Sequence, residues 1–311
     1  MRVPLLLVCV LPIFVSAQLQ WKRVDSLFGT IPSNAHVYYS ESAIDDKPNK
    51  AYYAIIDVKK TDMSVEAIVG NGKRYTPVQY FENNKHPFLV VNTTFFEFVQ
   101  NRNLNLVINK GKLLAYNLHT LAGRGKDTFT YRHPLASAFG ISKKGKMDIA
   151  WTFTDSSKKF AEATQQPIAA YKDSLNEVSI AHFDRGIFSK WKMKTAVGGG
   201  PVLLQDGQIK ITNNEELKFT GKAINDKHPR TAIGYTANGK MIVLVVEGRN
   251  PGKAEGADLI QLANILKDLG CIEALNLDGG GSSCMLINGK ETIKPSDKEG
   301  QRPVPAVLVL R

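Results

Sequence analysis

Leu259, Leu262, Ala263, Leu266 and Leu269 recur at the spacing of one helix face, and Gly270 supplies a left-handed stop after them. Upstream the period shortens: residues 231–235, a turn at Ala237-Asn238-Gly239 and residues 241–247 predict a hairpin. Downstream, residues 272–277 predict a strand that delivers Asp278 at its end. Strand, helix and strand in one sheet imply a crossover with the two strands parallel. Glu247 and Asp278 would then lie at carboxyl ends on one sheet edge, where open sheets place ligands, with Arg249 facing the same crevice.

The rest of the chain is also rich in β pattern. Residues 51–59 and 63–69 flank Lys60-Thr61-Asp62 and read as a hairpin; residues 106–108 and 113–116 do so around Asn109-Lys110-Gly111-Lys112. Thr76-Pro77 offers an N-cap and a first helical residue for a short helix through Phe81. The apolar run 88–91 delivers Asn92. A His-Pro pair, then Ala-x-Gly and Gly-Lys-Met, occurs at 133–147 and again at 228–241, and recurrence of one turn type explains both copies as well as duplication does. Residues 152–194 are mixed in pattern, and nothing catalytic is placed there. The expected fold class is α+β: a mixed, hairpin-rich β-sheet core with a few packed helices and one β-α-β crossover near the C-terminus.

Composition narrows the setting. Residues 1–17 carry one charge, Arg2, then an apolar run that closes on Val15-Ser16-Ala17, the pattern of a secretory signal peptide cleaved near Ala17. That run is shorter than the roughly 20 residues needed to cross a bilayer, so no transmembrane segment is expected in the mature chain. The expected product is a secreted or periplasmic single domain over 18–311. Losing Arg2 takes the formal charge from +11 to +10, and the mature chain stays basic. The lysines are scattered and no nucleic-acid motif accompanies them, which turns the basic balance toward an anionic substrate or envelope surface. Cys271 and Cys284 have no metal-type spacing, their places on either side of a strand and loop do not favour a bridge, and no His pair has metal spacing; neither metal nor cofactor is expected.

Three motifs carry candidate chemistry. Leu277-Asp278-Gly279-Gly280-Gly281-Ser282-Ser283 sets an acid at a strand end, then three residues without side chains, then two hydroxyls. Glycines let a ligand approach backbone amides, which donate to phosphate or sugar oxygens. The alternative is a loose turn between strands. A nucleotide phosphate loop is excluded because no Lys-Ser or Lys-Thr follows, and Cys284 stands where a serine nucleophile elbow needs its last glycine. Val197-Gly198-Gly199-Gly200-Pro201 is a second glycine run, read equally as a bend where strands approach or as a ligand-facing loop. Arg230 at a strand start and Arg249 after Glu247-Gly248 read either as solvated surface charges or as forks gripping phosphate. Asn92-Thr93-Thr94 also fits a glycosylation triplet, which is too common by chance to carry weight.

Taken together these residues resemble the phosphodiester glycosidase family, whose best-known members remove N-acetylglucosamine from its phosphodiester link to another sugar. The matching segments are 92–96, 197–207, 230–234, 247–249, 256–285 and Arg302-Pro303-Val304. Two departures from the family pattern stand out: Thr93 and Thr94 follow the asparagine where a small residue is usual, and Glu247-Gly248-Arg249 replaces Asp-Gly-Arg. The resemblance implies a phosphorylated carbohydrate substrate, with Asp278 and Glu247 as the catalytic carboxylates, either of them base or nucleophile. It further implies Arg230 and Arg249 on phosphate, Asn92 and Ser282 orienting the sugar, and Gly199, Gly200, Gly279, Gly280, Ser283 and Arg302 among the substrate-binding residues. Two rival classes share the basic crevice: a non-catalytic envelope protein binding an anionic glycan, and a metal-dependent phosphodiesterase cutting at phosphorus.

Overall fold

The computed structural model describes residues 18–59 and 63–311, with Lys222 described by its backbone alone. The expected signal peptide and the Lys60-Thr61-Asp62 turn lie outside the described residues. Three larger sheets, of eight, seven and five strands, hold most of the strands among the described residues.

The central strand of the eight-stranded sheet, Lys240–Val246, shows why the helix docks where it does. Alternate side chains point to opposite faces of a strand. Met241, Val243 and Val245 enter a core shared by all three sheets, which also holds Phe139, Trp151, Val91 and Leu308. Ile242, Leu244 and Val246 enter a second core on the other face, closed by Leu259, Leu262, Ala263 and Leu266 of the helix Leu259–Asp268. Asp258 caps that helix, accepting from the Gln261 amide at 2.8 Å, and Gly270 follows at φ +81°. The five-stranded sheet is covered in the same way by the helix Pro77–Asn83, whose Tyr80 and Val78 pack on Val90, Leu286 and Val307. Among the described residues no helix is long and apolar enough to cross a membrane.

Among the described residues every paired strand in these sheets runs antiparallel to its neighbour, so the sheets are not mixed. Arg230–Thr236 lies between Lys240–Val246 and Cys271–Asn276 and is antiparallel to both. The two outer strands, joined through the helix, therefore run in the same direction without touching. The expected hairpin of 51–59 with 63–69 does not form. Ala51–Asp57 pairs with Ala35–Ser40 and Lys240–Val246, whereas Val65–Val69 pairs with Ala306–Leu310 in another sheet. Both runs have the right propensity, but each finds a better partner at long range. The Asn109-Lys110-Gly111-Lys112 turn does close a hairpin, with Lys110 at φ +52° and Gly111 at +77°. Cys271 and Cys284 are both buried and unpaired.

Candidate active site

Asp278 emerges two residues beyond the strand Cys271–Asn276, and its backbone is held from both sides. Its amide donates to Thr93 O at 2.8 Å, and its carbonyl accepts from Asn92 Nδ2 at 2.6 Å. The glycine run then turns sharply: the Gly280 amide donates to Pro229 O at 2.8 Å, and Gly280 takes φ +62°. A Cβ there would stand 3.0 Å from Arg249 Nη2, and one on Gly281 would collide with Arg302 Nη2 and Asp297 Oδ1. The glycines thus let two guanidinium groups lie against the backbone.

The result is a cleft of about 250 Å³ lined by Asp278, Gly279, Gly280, Gly281, Arg230, Arg249, Arg302, His228, Phe95 and Phe219. Phe95 and Phe219 meet edge to face, 6.0 Å between centroids. Arg230 is 2% exposed and lies 5.7 Å over the Phe219 ring; its Nε donates to Ala257 O at 2.8 Å and its Nη2 to Asp226 O at 2.9 Å. Arg302 is clamped by Asp297, Nε to Oδ2 at 2.7 Å and Nη2 to Oδ1 at 3.0 Å, and Nη1 reaches Ser282 Oγ at 3.5 Å. Arg249 is exposed, at φ +57°.

Electrostatics mark Asp278 as the unusual acid. By surface area it is half-buried, meeting solvent where it lines the cleft, yet protein crowds it closely. Burial pushes its carboxyl up to about 7, against the opposing pull of the Ser282 hydroxyl, Arg302, the Gly279 amide and Lys218. Burial also lowers the Arg230 guanidinium to about 10, so it remains cationic at neutral pH.

The structure brings together Asp278, Arg230, Arg249, Arg302, Gly279 and Gly280, with Ser282 beneath them; it places the remaining candidates elsewhere. Glu247 is 4% exposed and outside the cleft: its carboxylate accepts from Asn250 Nδ2 at 3.1 Å and the Lys294 amide at 3.0 Å, tying two loops to the strand end. Asn92 has no exposed surface; besides holding Asp278, its Oδ1 accepts from Thr231 Oγ1 at 2.9 Å and the Cys284 amide at 3.1 Å. Ser283 is buried, and its hydroxyl meets that of Thr231 at 3.2 Å, Oγ to Oγ1. Gly199 and Gly200 lie a layer behind, where Asn105 Nδ2 donates to Gly199 O at 3.2 Å and Asn276 Nδ2 to Gly200 O at 2.8 Å.

Two residues at the site carried no signal in the motifs. Lys218 lies 5.2 Å over the Phe95 ring, and burial holds its ammonium below the usual value against the pull of Glu216 and Asp278. It follows Leu217, whose left-handed φ of +51° ends the short helix Asn213–Glu216; no local pattern announces that turn. His228 was visible only as half of a His-Pro pair. Burial, then Arg230 and Arg249, hold its pKa below the usual value, so it is neutral near pH 7, and its Nδ1 is buried without a hydrogen bond. Among the described residues, no three His, Cys, Asp or Glu side chains gather as a metal-holding group.

Comparison with known proteins bears on what this cleft does. Residues 86–311 match the profile of the phosphodiester glycosidase family. N-acetylglucosamine-1-phosphodiester alpha-N-acetylglucosaminidase of mouse is 29% identical over 102 residues, 32% of this chain and 19% of that protein. The human protein of the same name is 33% identical over 103 residues, 30% of this chain and 20% of its own length. An uncharacterized SPbeta prophage-derived protein of Bacillus subtilis is 38% identical over 74 residues, 24% of this chain and 11% of that protein. The aligned stretch thus spans about a fifth or less of these relatives. In structure, the zebrafish N-acetylglucosamine-1-phosphodiester alpha-N-acetylglucosaminidase catalytic domain, auto-inhibited by its pro-peptide, superposes with a TM-score of 0.59 at 20% identity, over 95% of this chain and 88% of that one. A hypothetical protein from Synechocystis gives 0.60 at 16% identity, over 95% and 68%. At such identities the likeness is one of fold.

Proposed function

Because this chain belongs to the phosphodiester glycosidase family, we propose that it is an exported hydrolase that releases a sugar, N-acetylglucosamine in the first instance, from a sugar 1-phosphodiester. The observation that carries the reading is the sharing of one cleft by Asp278 and the guanidinium groups of Arg230, Arg249 and Arg302.

The bond broken is that between the anomeric carbon and the phosphate oxygen. Its electron pair departs with the phosphate monoester, and the new bond to the anomeric carbon comes from water, directly or after attack by Asp278. A phosphate monoester is already an acidic leaving group, so stabilising its charge matters more than protonating it. Arg230 and Arg249 perform that task, with Arg302 held in place by Asp297. Glycosidases that expel an alcohol need a second carboxylic acid; an expelled phosphate does not, which accords with Asp278 as the one Asp or Glu lining this cleft among the described residues. Asp278 is the base or nucleophile, and a carboxyl brought to about 7 is matched to accepting a proton near neutral pH. Asn92 and Glu247 then act as positioning residues, one on the Asp278 backbone and the other on the loops beside Arg249. Export rests on the signal-like segment at 1–17, and the basic charge of the chain suits an anionic substrate at an envelope or in an extracellular glycan.

The test is hydrolysis of sugar 1-phosphodiesters in heavy-oxygen water. Label in the released sugar is the expected result; label in the phosphate would mean cleavage at phosphorus and would overturn the mechanism.

A further inference from the structure

The strand that starts at the cleft ends on a second hollow. Arg230 opens Arg230–Thr236 at the cleft, and Thr236 closes it about 20 Å away, at roughly 3.3 Å per residue. There Lys59, Lys144 and Lys146 stand around a space of about 330 Å³, lined further by Met147, Tyr235 and Ile272. No residue lines both spaces. The hollow is built from the echoed pair of turns, Gly145-Lys146-Met147 and Gly239-Lys240-Met241, each closing a hairpin. Lys59 is laid between them: a Cβ on Gly239 would stand 3.2 Å from its Nζ, and one on Gly145 3.8 Å from its Cγ.

Charge sets this hollow apart. Among the described residues no carboxylate lines it and none of its three lysines is in an ion pair, whereas Lys22, Lys110 and Lys172 each have a carboxylate partner. Asp57, Asp148 and Glu273 flank the lining in sequence, and each is hydrogen-bonded. Asp57 Oδ1 accepts from the Lys59 amide at 3.1 Å and Asp148 Oδ2 from Trp191 Nε1 at 2.6 Å; Glu273 accepts from the Ile149 amide at 3.0 Å and from the Tyr235 hydroxyl. The Gly145 and Gly239 amides are closed onto Ser142 O and Thr236 O, at 3.0 and 2.9 Å, so the hollow offers ammonium charge and not a nest of amides. Three like charges around one concavity repel one another until an anion sits among them. A doubly charged phosphate gains more from them than a single carboxylate does, and an ammonium, as a compact point charge, holds phosphate without demanding one orientation. Met147, Tyr235 and Ile272 supply apolar surface for the group attached to it.

We propose that this hollow is a second anion site, separate from the Asp278 cleft, that binds one phosphate group carried by a soluble metabolite or by a lipid head group. The test follows acetylation of lysines by an N-hydroxysuccinimide ester, resolved residue by residue by mass spectrometry. The intact protein is labelled alone, with inorganic phosphate, and with phosphatidylcholine vesicles that contain or lack phosphatidylglycerol. A saturating probe should slow Lys59, Lys144 and Lys146 about tenfold, while the exposed Lys85, Lys126 and Lys190 keep their rates. Slowing by phosphatidylglycerol vesicles assigns a lipid head group, and slowing by phosphate without it a soluble ligand. No slowing by either probe, equal slowing by phosphatidylcholine alone, or equal slowing of both lysine sets would overturn the proposal. In a second arm, Lys59→Gln combined with Lys144→Gln and Lys146→Gln should lower affinity for the effective probe, on the order of a hundredfold for an anionic vesicle. Lys85→Gln combined with Lys126→Gln and Lys190→Gln, a variant of equal net charge, should not. Hydrolysis of a sugar 1-phosphodiester should proceed in the first variant as in the wild type, and a loss confined to that variant would overturn the separation of the two sites. Wild-type protein that cleaves no such diester yet shows the labelling pattern would remove the hydrolase reading and leave this site standing.

Discussion

Asn92 and Asp278, 186 positions apart in the chain, are joined by a 2.6 Å hydrogen bond from the Asn92 amide to the Asp278 carbonyl. The same Asn92 oxygen accepts from Thr231 and Cys284, so one buried side chain fixes three segments around the acid. Asn92→Ala is expected to cost about 1–3 kcal/mol, because it leaves buried partners unpaired. It should also lower kcat more than it raises KM, since Asp278 is displaced while the phosphate grip remains. Denaturant unfolding and steady-state kinetics check the two halves; a KM effect alone would restore Asn92 to the sugar.

The carboxyl of Asp278 sets a pH dependence for activity and another for stability. Acting as a base or nucleophile it must be ionised, so activity should rise with pH through a midpoint near 7. Stability should run the other way. Between the ordinary value of 3.8 and about 7 the native state keeps a proton that the unfolded chain releases, so folding loses free energy as pH rises across that window. Asp278→Asn should therefore abolish turnover by about 10²-fold or more while raising Tm at pH 8 relative to wild type. A wild-type rate in this variant would remove Asp278 from the chemistry.

Lys218 helps keep Asp278 ionised, and removing its charge should move the acid limb. For Lys218→Met the expected outcome is a pH–rate midpoint displaced to higher pH, read from kcat/KM profiles. An unmoved midpoint would mean that the ammonium is too well solvated to act on the carboxyl.

Gly281→Ala tests the packing of guanidinium against backbone. The added methyl group collides with both partners of the Arg302–Asp297 ion pair, so the fork must leave its clamp. Affinity for inorganic phosphate should fall, and Arg302→Ala should reproduce the loss without the collision. Normal phosphate binding in both variants would remove Arg302 from the site.

Glu216 has a different part. Its carboxylate accepts from Trp151 Nε1 at 3.2 Å, the Val202 amide at 3.0 Å, Thr212 Oγ1 at 2.6 Å and Ser137 Oγ at 2.7 Å. Replacement by Ala should destabilise the fold by about 3 kcal/mol or more, measured by chemical denaturation.

Much of this was legible where physics is local. The Asn109-Lys110-Gly111-Lys112 turn, the capped helix ending at Gly270 and the strand leading to Asp278 each carry their own signature. Partner choice does not: residues 51–57 and 65–69 look like neighbours in a hairpin, yet long-range packing sends them to different sheets. The same limit applied at the cleft. Strand order brought Glu247 to the edge shared with Asp278, but whether its carboxylate enters the cleft depended on Asn250 and Lys294, which no motif connects to it. Lys218 and His228 reach the site through turns whose geometry belongs to the fold as a whole.

The two cysteines among the described residues are sealed in the interior, and burial pushes the Cys271 thiol up to about 12. At that value almost no thiolate forms near neutral pH, so thiol reagents should find little to attack until the chain opens. Cys271 and Cys284 sit in separate cores, each held by packing instead of a covalent tie, and reducing agents should leave the unfolding midpoint where it was.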